Sequence, residues 1–395
     1  MNSAIKLPIP GEDTRRPFSF SLLALSQLIF IFALTQKRSW VTHLLFGAMA
    51  SIMCYLALYT TTGNITIDNP VGSTIFTFLF MASDYLLVSN APKNFRLRGQ
   101  KEGIEEASFW ERLKWALKLF SSPRGIGWTH EPVALIRRPN PPIRSKLKWL
   151  CQQLFWIAWW VLLMDVGGVS FSIPLPFVTA SHSGSIWRYW AVKRAIGTLS
   201  YALPAVATIG NIYRVLAITT VVLGLCGTDE WPELFGWWGN AWSVRSFWGH
   251  TWHQMLRHLL LSHSKFFAHK ILKLKRGTAT TRYVYLYTAF SLSGFIHQSG
   301  ERMMLGHWGG TTIYFYLGQA LAISFEEGVM WCAAKLKISA NPSSSWIWRV
   351  VGYFWVWIWF SVSLDPVMSG LMIRHSEHFS LIMGVWKGDW TPRVV

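Results

Sequence analysis

The chain reads as an all-α polytopic membrane protein, and three observations predict this. Of its 395 residues, 51% are hydrophobic and only 14% charged, whereas soluble domains carry about 25% charged residues. Apolar runs of roughly 18 to 25 residues, long enough to cross a bilayer, recur along it. The 25 tryptophans supply the aromatic side chains that membrane–water interfaces favour.

In chain order the runs lie at about 18–35, 40–61, 71–89, 148–167, 199–226, 283–303, 311–334 and 346–364. They predict about eight transmembrane helices. The range is roughly seven to nine, because a further stretch near 379–386 is short. The first run follows Arg15-Arg16 without a small-residue cleavage site and leads through Lys37-Arg38 into the second. It therefore reads as an anchor rather than a cleaved signal.

Two long polar connections, 90–147 and 227–282, hold most of the basic residues. Two spans separate them, so they fall on one side, the cytosolic one by the positive-inside rule. Three spans before residue 90 then put the N-terminus in the lumen, with the acceptor pattern Asn64-Ile65-Thr66 on the lumenal side. Arg188, Lys193, Arg194 and the mid-run Arg214 pull against this topology. A re-entrant or interfacial segment near 185–215 would reconcile them. Pro139, Pro141 and Pro142 punctuate the first connection, but no second compact domain follows, so residues 1–395 are expected to form one domain with its motif core at about 230–305.

In a soluble protein a net charge of +18 would suggest nucleic acid. Here it follows from topology, so the expected partner is membrane lipid and no nucleic acid. The basic connections also suit a phosphate-bearing co-substrate such as coenzyme A. Cys54, Cys151, Cys226 and Cys332 lie in or beside apolar runs without CxxC spacing, which indicates neither a disulfide framework nor a zinc site.

The segment Ser246-Phe-Trp-Gly-His-Thr-Trp-His253 carries the strongest local signal. On a helix, Ser246, His250, His253 and Arg257 share one face, with Phe247 and Trp248 on the remaining surface. This stripe reads either as the wall of a wet cavity or as an amphipathic helix meeting lipid phosphates. His297 is the sharper case. It lies on the order of 20 Å along a helix that starts after Arg282, and ionisable groups at that depth face a bundle interior or a water-filled cavity. Ser293 and Glu301 sit one turn to either side, and Glu301 is placed to orient or charge-balance the ring. The bland alternative is a structural histidine bonded to a neighbouring helix.

A neutral imidazole in this place can act as general base, taking the proton of an alcohol as its oxygen attacks an acyl-CoA thioester. A donor such as His253 or a tryptophan N–H would face the oxyanion. Neither a metal nor a bound cofactor is required. A di-iron oxygenase would need convergent ligand spacing, and His258, His263 and His269 read instead as interfacial. A transporter with a histidine proton relay stays open, although no inverted repeat is visible.

Phe247-Trp-Gly-His-Thr-Trp-His253-Gln, with Trp231-Pro-Glu-Leu-Phe-Gly236, Ser293-Gly-Phe-Ile-His297 and Arg124-Gly-Ile-Gly-Trp128, resembles the wax synthase-like branch of the membrane-bound O-acyltransferases. The resemblance runs from about residue 70 onward. It implies a helical bundle with an intramembrane reaction chamber, His297 as catalytic histidine and His253 as its supporting residue. It also implies substrate or CoA contacts at Phe247, Trp248, His250, Trp252, Arg257, Ser293 and Glu301. His250 and His253 stand where the wider superfamily has Asp and Asn. Within the branch the chain is most similar to fungal enzymes that acetylate terpenoid and meroterpenoid alcohols. That implies acetyl-CoA as co-substrate, a lipophilic alcohol acceptor and the endoplasmic reticulum. A long-chain acyl-CoA:alcohol acyltransferase making wax esters is the alternative.

Overall fold

In a computed structural model, residues 15–138, 145–172, 186–337 and 346–364 are described, apart from the side chains of 165–172 and 186–193. Pro139, Pro141, Pro142 and the run near 379–386 lie outside these residues, as do the side chains of Arg188 and Lys193. The helices are α1 (Phe20–Leu34), α2 (Ser39–Tyr59), α3 (Ile65–Ser83), α4 (Ala91–Asn94), α5 (Phe109–Phe120), α6 (Lys146–Ser172), α7 (Ile186–Val222), α8 (Val244–Ser246), α9 (Arg257–Phe266), α10 (Ala279–Leu305), α11 (Thr312–Lys335) and α12 (Trp346–Ser363). Each of the eight apolar runs coincides with one of the long helices. Among the described residues the only sheet is a two-residue parallel pairing of Arg16–Pro17 with Thr60–Thr61.

Local chemistry sets the helix ends. Ser19 and Thr278 cap α1 and α10 by accepting the amides of Leu22 and Thr281, which satisfies donors that have no partner inside the helix. Asn64 does the same for α3 through Thr66 N–H, and the Thr66 hydroxyl donates to the same oxygen. Ser108 and Glu111 close a reciprocal capping box on α5. The hydrogen bonds from Ser108 hold the Glu111 carboxyl below its usual range. Gly306, at φ +80°, ends α10 in the left-handed conformation that favours glycine.

Among the described residues four helices are long and apolar enough to cross a membrane, namely Ser39–Tyr59, Ile65–Val88, Lys146–Met164 and Arg194–Val222, and α1 is a shorter apolar helix. Polar residues such as Ser293, His297, Gln298 and Glu301 lower the apolar character of α10. The region expected to hold a re-entrant segment is instead one continuous 37-residue helix, α7, with Pro204 inside it.

The chain divides into two compact units, Met1–Val133 with Gln254–Ser324 and Ala134–His253 with Phe325–Val395. In the first unit, α3 packs most extensively on α10. Glycine permits this crossing: a Cβ on Gly72 would lie 2.9 Å from the Gly300 Cα, and one on Gly300 would lie 2.3 Å from the Asn69 carbonyl. The core of this unit includes Phe30, Met49, Met53, Ile75, Tyr85, Trp115, Trp128 and Ile296. In the second unit α6 packs along α7, and α12 also packs on α7. Trp149, Ala217 and Val221 form a buried cluster there. All four cysteines are unpaired.

Candidate active site

In the first unit His297 lies on α10 with its ring stacked on Tyr316 of α11, centroids 4.9 Å apart and planes 7° from parallel. Gly294 makes the stack possible, because a Cβ there would lie 2.7 Å from Ile313 Cδ1 and 3.1 Å from Tyr316 Cβ. Ser293 is buried one turn away. Glu301 does not orient the ring. Its carboxylate accepts the Thr311 and Thr312 amides at 3.2 and 3.1 Å, capping the start of α11. Gln298 adds the Ile313 amide at 3.0 Å. The α10–α11 junction is thus tied by side chains to backbone amides, and His297 is left outside that network.

The first unit also contains a cavity of about 480 Å³, reached by Arg124, Arg257, Lys265, Lys270, Arg276 and His258. Val88 and Ser89, just after α3, line one side of it, and three further places complete the wall. The loop Arg124-Gly-Ile-Gly-Trp128 turns through two left-handed glycines, Gly125 at φ +66° and Gly127 at φ +81°. A Cβ on Gly125 would meet His130 Nε2 at 2.6 Å, so the glycine makes room for that ring. Trp128 anchors the loop, 1% exposed and edge-on to Trp115. Glu131 holds it from the far side, accepting the Gly127 amide at 2.9 Å and pairing with Arg98 at 3.2 Å.

The second wall is α9. Arg257 donates to Gln254 Oε1 at 3.2 Å, and His258 Nδ1 lies 2.8 Å from Asp84 Oδ2. Asp84, fully buried, begins a π-turn over Asp84–Val88 at the end of α3. The third wall is the π-turn Phe267–Ile271, where His269 contacts the Leu274 carbonyl and the Tyr285 hydroxyl. His263 bonds the Leu259 carbonyl at 2.7 Å and Ser83 at 3.2 Å. His258, His263 and His269 are therefore each hydrogen-bonded within the unit. Both ring nitrogens of His130 are buried without a hydrogen-bond partner among the described residues. Burial, then the neighbouring His258, pushes its pKa down to about 4, so the ring is neutral at pH 7.

The tryptophan-rich segment belongs to the second unit and is not the continuous helix its spacing suggests. Val244–Ser246 is one α-turn, Phe247–Thr251 is a π-turn, and Trp252 is extended. Arg257 starts a separate helix in the first unit, so the stripe Ser246–His250–His253–Arg257 has no common helical face. What the segment does assemble is an aromatic cluster. Trp252 stacks on Phe247 at 5.6 Å, with Trp248 at 5.9 Å and His253 at 5.1 Å from it. Phe360 of α12 packs 4.8 Å from Phe247. His250 is exposed, but its carbonyl is closely covered by Gly236, where a Cβ would come within 1.9 Å. The Gly236 amide donates to Thr251 at 2.9 Å, and Phe235 packs against Trp252 and His253. Glu326 fixes the start of the segment, accepting the Val244 and Arg245 amides at 2.6 and 3.1 Å and the Trp355 indole N–H at 2.7 Å.

Comparison with known proteins decides the family. The model of the membrane bound O-acyl transferase family matches residues 231–317, which include the aromatic segment, α9 and His297. The chain is 33% identical over 384 residues to Acetyltransferase ple2 of Rhodocybe pseudopiperita, covering 95% of this chain and 98% of that protein. The chain belongs to the membrane-bound O-acyl transferase family.

A second relative of this acyltransferase, Acetyltransferase eriL of Hericium erinaceus, is 31% identical over 93% of the chain and 96% of its own length. O-Mevalon transferase yanI of Aspergillus niger is 29% identical over 71% of the chain and 68% of its own length. No solved structure matches. His130 and His258 line the cavity and Asp84 bonds His258, and the sequence reading gave none of the three a place in the candidate site. The signals were present but faint: an acid inside an apolar run, a histidine two residues past the Arg-Gly-Ile-Gly-Trp motif, and a histidine beside Arg257.

Proposed function

We propose that this acyltransferase moves an acetyl group from acetyl-CoA to a hydroxyl of a lipophilic secondary metabolite, with His297 as general base. The observation that carries the reading is the pairing, in one unit, of an imidazole stacked on Tyr316, with no hydrogen bond seen among the described residues, and a cavity lined by five cationic side chains. The cationic cavity suits the phosphates of coenzyme A. The names of the relatives ple2 and eriL point to acetyl as the acyl group.

In the proposed reaction the acceptor hydroxyl gives its proton to His297 as the oxygen bonds to the thioester carbonyl carbon. The tetrahedral oxyanion collapses, the C–S bond breaks, and the imidazolium proton passes to the departing thiolate. Products are the acetate ester and CoA, and the base is restored. Residues 1–395 act as one acyltransferase domain in the endoplasmic reticulum membrane, and both basic connections face the cytosol, where acetyl-CoA is supplied. His253 is a supporting residue, to be tested by its own alanine variant.

The test is acetyl transfer by microsomes carrying His297→Ala at matched protein level, with acetyl-CoA compared against longer acyl-CoA donors. Transfer at the wild-type rate by the variant would remove His297 as base. Faster transfer from long-chain donors by the wild type would replace the acetyl reading with a wax ester synthase.

A further inference from the structure

The donor cavity holds an acid–imidazole pair that the reaction above leaves without a task. Asp84 is fully buried, and a buried carboxylate is costly unless it is paired and hydrogen-bonded. Ser89 donates to one oxygen at 2.5 Å, and His258 Nδ1 lies 2.8 Å from the other. Fixing Nδ1 as the donor leaves Nε2 as the remaining polar atom of a ring that lines the cavity. We propose that His258 binds a phosphate oxygen of the acyl-CoA donor as an imidazolium, taking up a proton with the donor, and that Asp84 is its positioning residue.

This inference rests on the donor reading of the cavity. A neutral Nε2 would turn a lone pair toward the phosphate, whereas the imidazolium turns an N–H toward it. The groups around the ring decide when the proton arrives. Asp84, from the end of α3, favours the charge, and Tyr85 stands beside it. Arg124 from the glycine loop, Arg257 and Lys265 from α9, Lys270 and Arg276 oppose it. His269 also borders the cavity. Glu131 is committed to Arg98 and the Gly127 amide. An arriving phosphate offsets the cationic repulsion and brings the proton with it. The adjacent ring, His130, is 4.7 Å from His258 and stays neutral.

The experiment compares kcat/KM for acetyl-CoA with that for acetyl-pantetheine, which lacks the nucleotide phosphates, at about pH 6 and about pH 8. The expected wild-type ratio strongly favours acetyl-CoA and falls between the lower and the higher pH. In His258→Gln and in Asp84→Asn the ratio drops about tenfold, the size of one charge-assisted hydrogen bond, and loses its pH dependence. The double variant falls no further than either single one. A merely structural defect would slow both donors together and leave the ratio where it was. Variants that keep the wild-type ratio and slope overturn the pair's role while leaving the donor cavity intact. A wild-type ratio near one would mean that the cavity holds another phosphate, such as a lipid headgroup, and would overturn the donor reading together with this inference.

Discussion

His297 and Tyr316 lie ring on ring, so the stack holds the plane of the imidazole. Replacing His297 by alanine is expected to lower acetyl transfer by about 100- to 10,000-fold, the usual worth of a general base, with protein level unchanged on a blot. His130 gives a second prediction at this scale. The unfolded chain protonates this ring below about pH 6.5, whereas the folded ring stays neutral down to about 4. Its share of stability is therefore complete above about pH 6.5 and is lost as the pH falls toward 4. Thermal unfolding of purified protein across that window should show less pH dependence in His130→Gln than in wild type. His297 was legible in the sequence because a histidine deep in an apolar run carries a desolvation cost. Asp84, His130 and His258 were not, since they are 46 and 128 residues apart along the chain and only folding joins them.

At the scale of elements, the α3–α10 crossing depends on two glycines that a hydropathy reading passes over. Gly300→Val would drive a side chain into Ser73 and the Asn69 backbone, an overpacking that costs about 1–3 kcal/mol or more. Size-exclusion chromatography of a fluorescent fusion should show loss of the folded peak. The positions of the long helices were legible because each apolar run is long and bounded by charge. The segment at 246–257 misled for the opposite reason: over so few residues a helical period fits a π-turn and an extended residue equally well. Glu326 compensates for the broken helix by gathering two backbone amides and an indole. In Glu326→Gln one acceptor becomes a donor, and activity is expected to fall several-fold, with loss of thermal stability measured on the same preparation.

For the whole molecule, an excess of basic residues in the long connections is what the positive-inside rule expects of cytosolic loops. Five of these cationic side chains line one cavity, the proposed site for the phosphates of the donor. Exposed cations are screened by salt over about 10 Å at 0.1 M, so the KM for acetyl-CoA should rise several-fold between about 0.05 and about 0.5 M salt. The KM for the lipophilic acceptor should hardly move in the same assay. The helical membrane class followed directly from composition. The division into two units did not, because each unit takes up separate stretches of chain, and no local pattern marks such an exchange.

The π-turn at Asp84–Val88 has a consequence for the chain's register. Such a turn stores one residue more than an α-helix would in the same space, and here it closes with the Ser89 amide on the Asp84 carbonyl. Deleting a single residue between Tyr85 and Val88 would let α3 run on as an ordinary helix. Everything after it would then rotate by about 100° around the axis. Ser89 would leave the Asp84 carboxylate, and a one-codon change would unmake a wall of the cavity without altering any side chain that lines it.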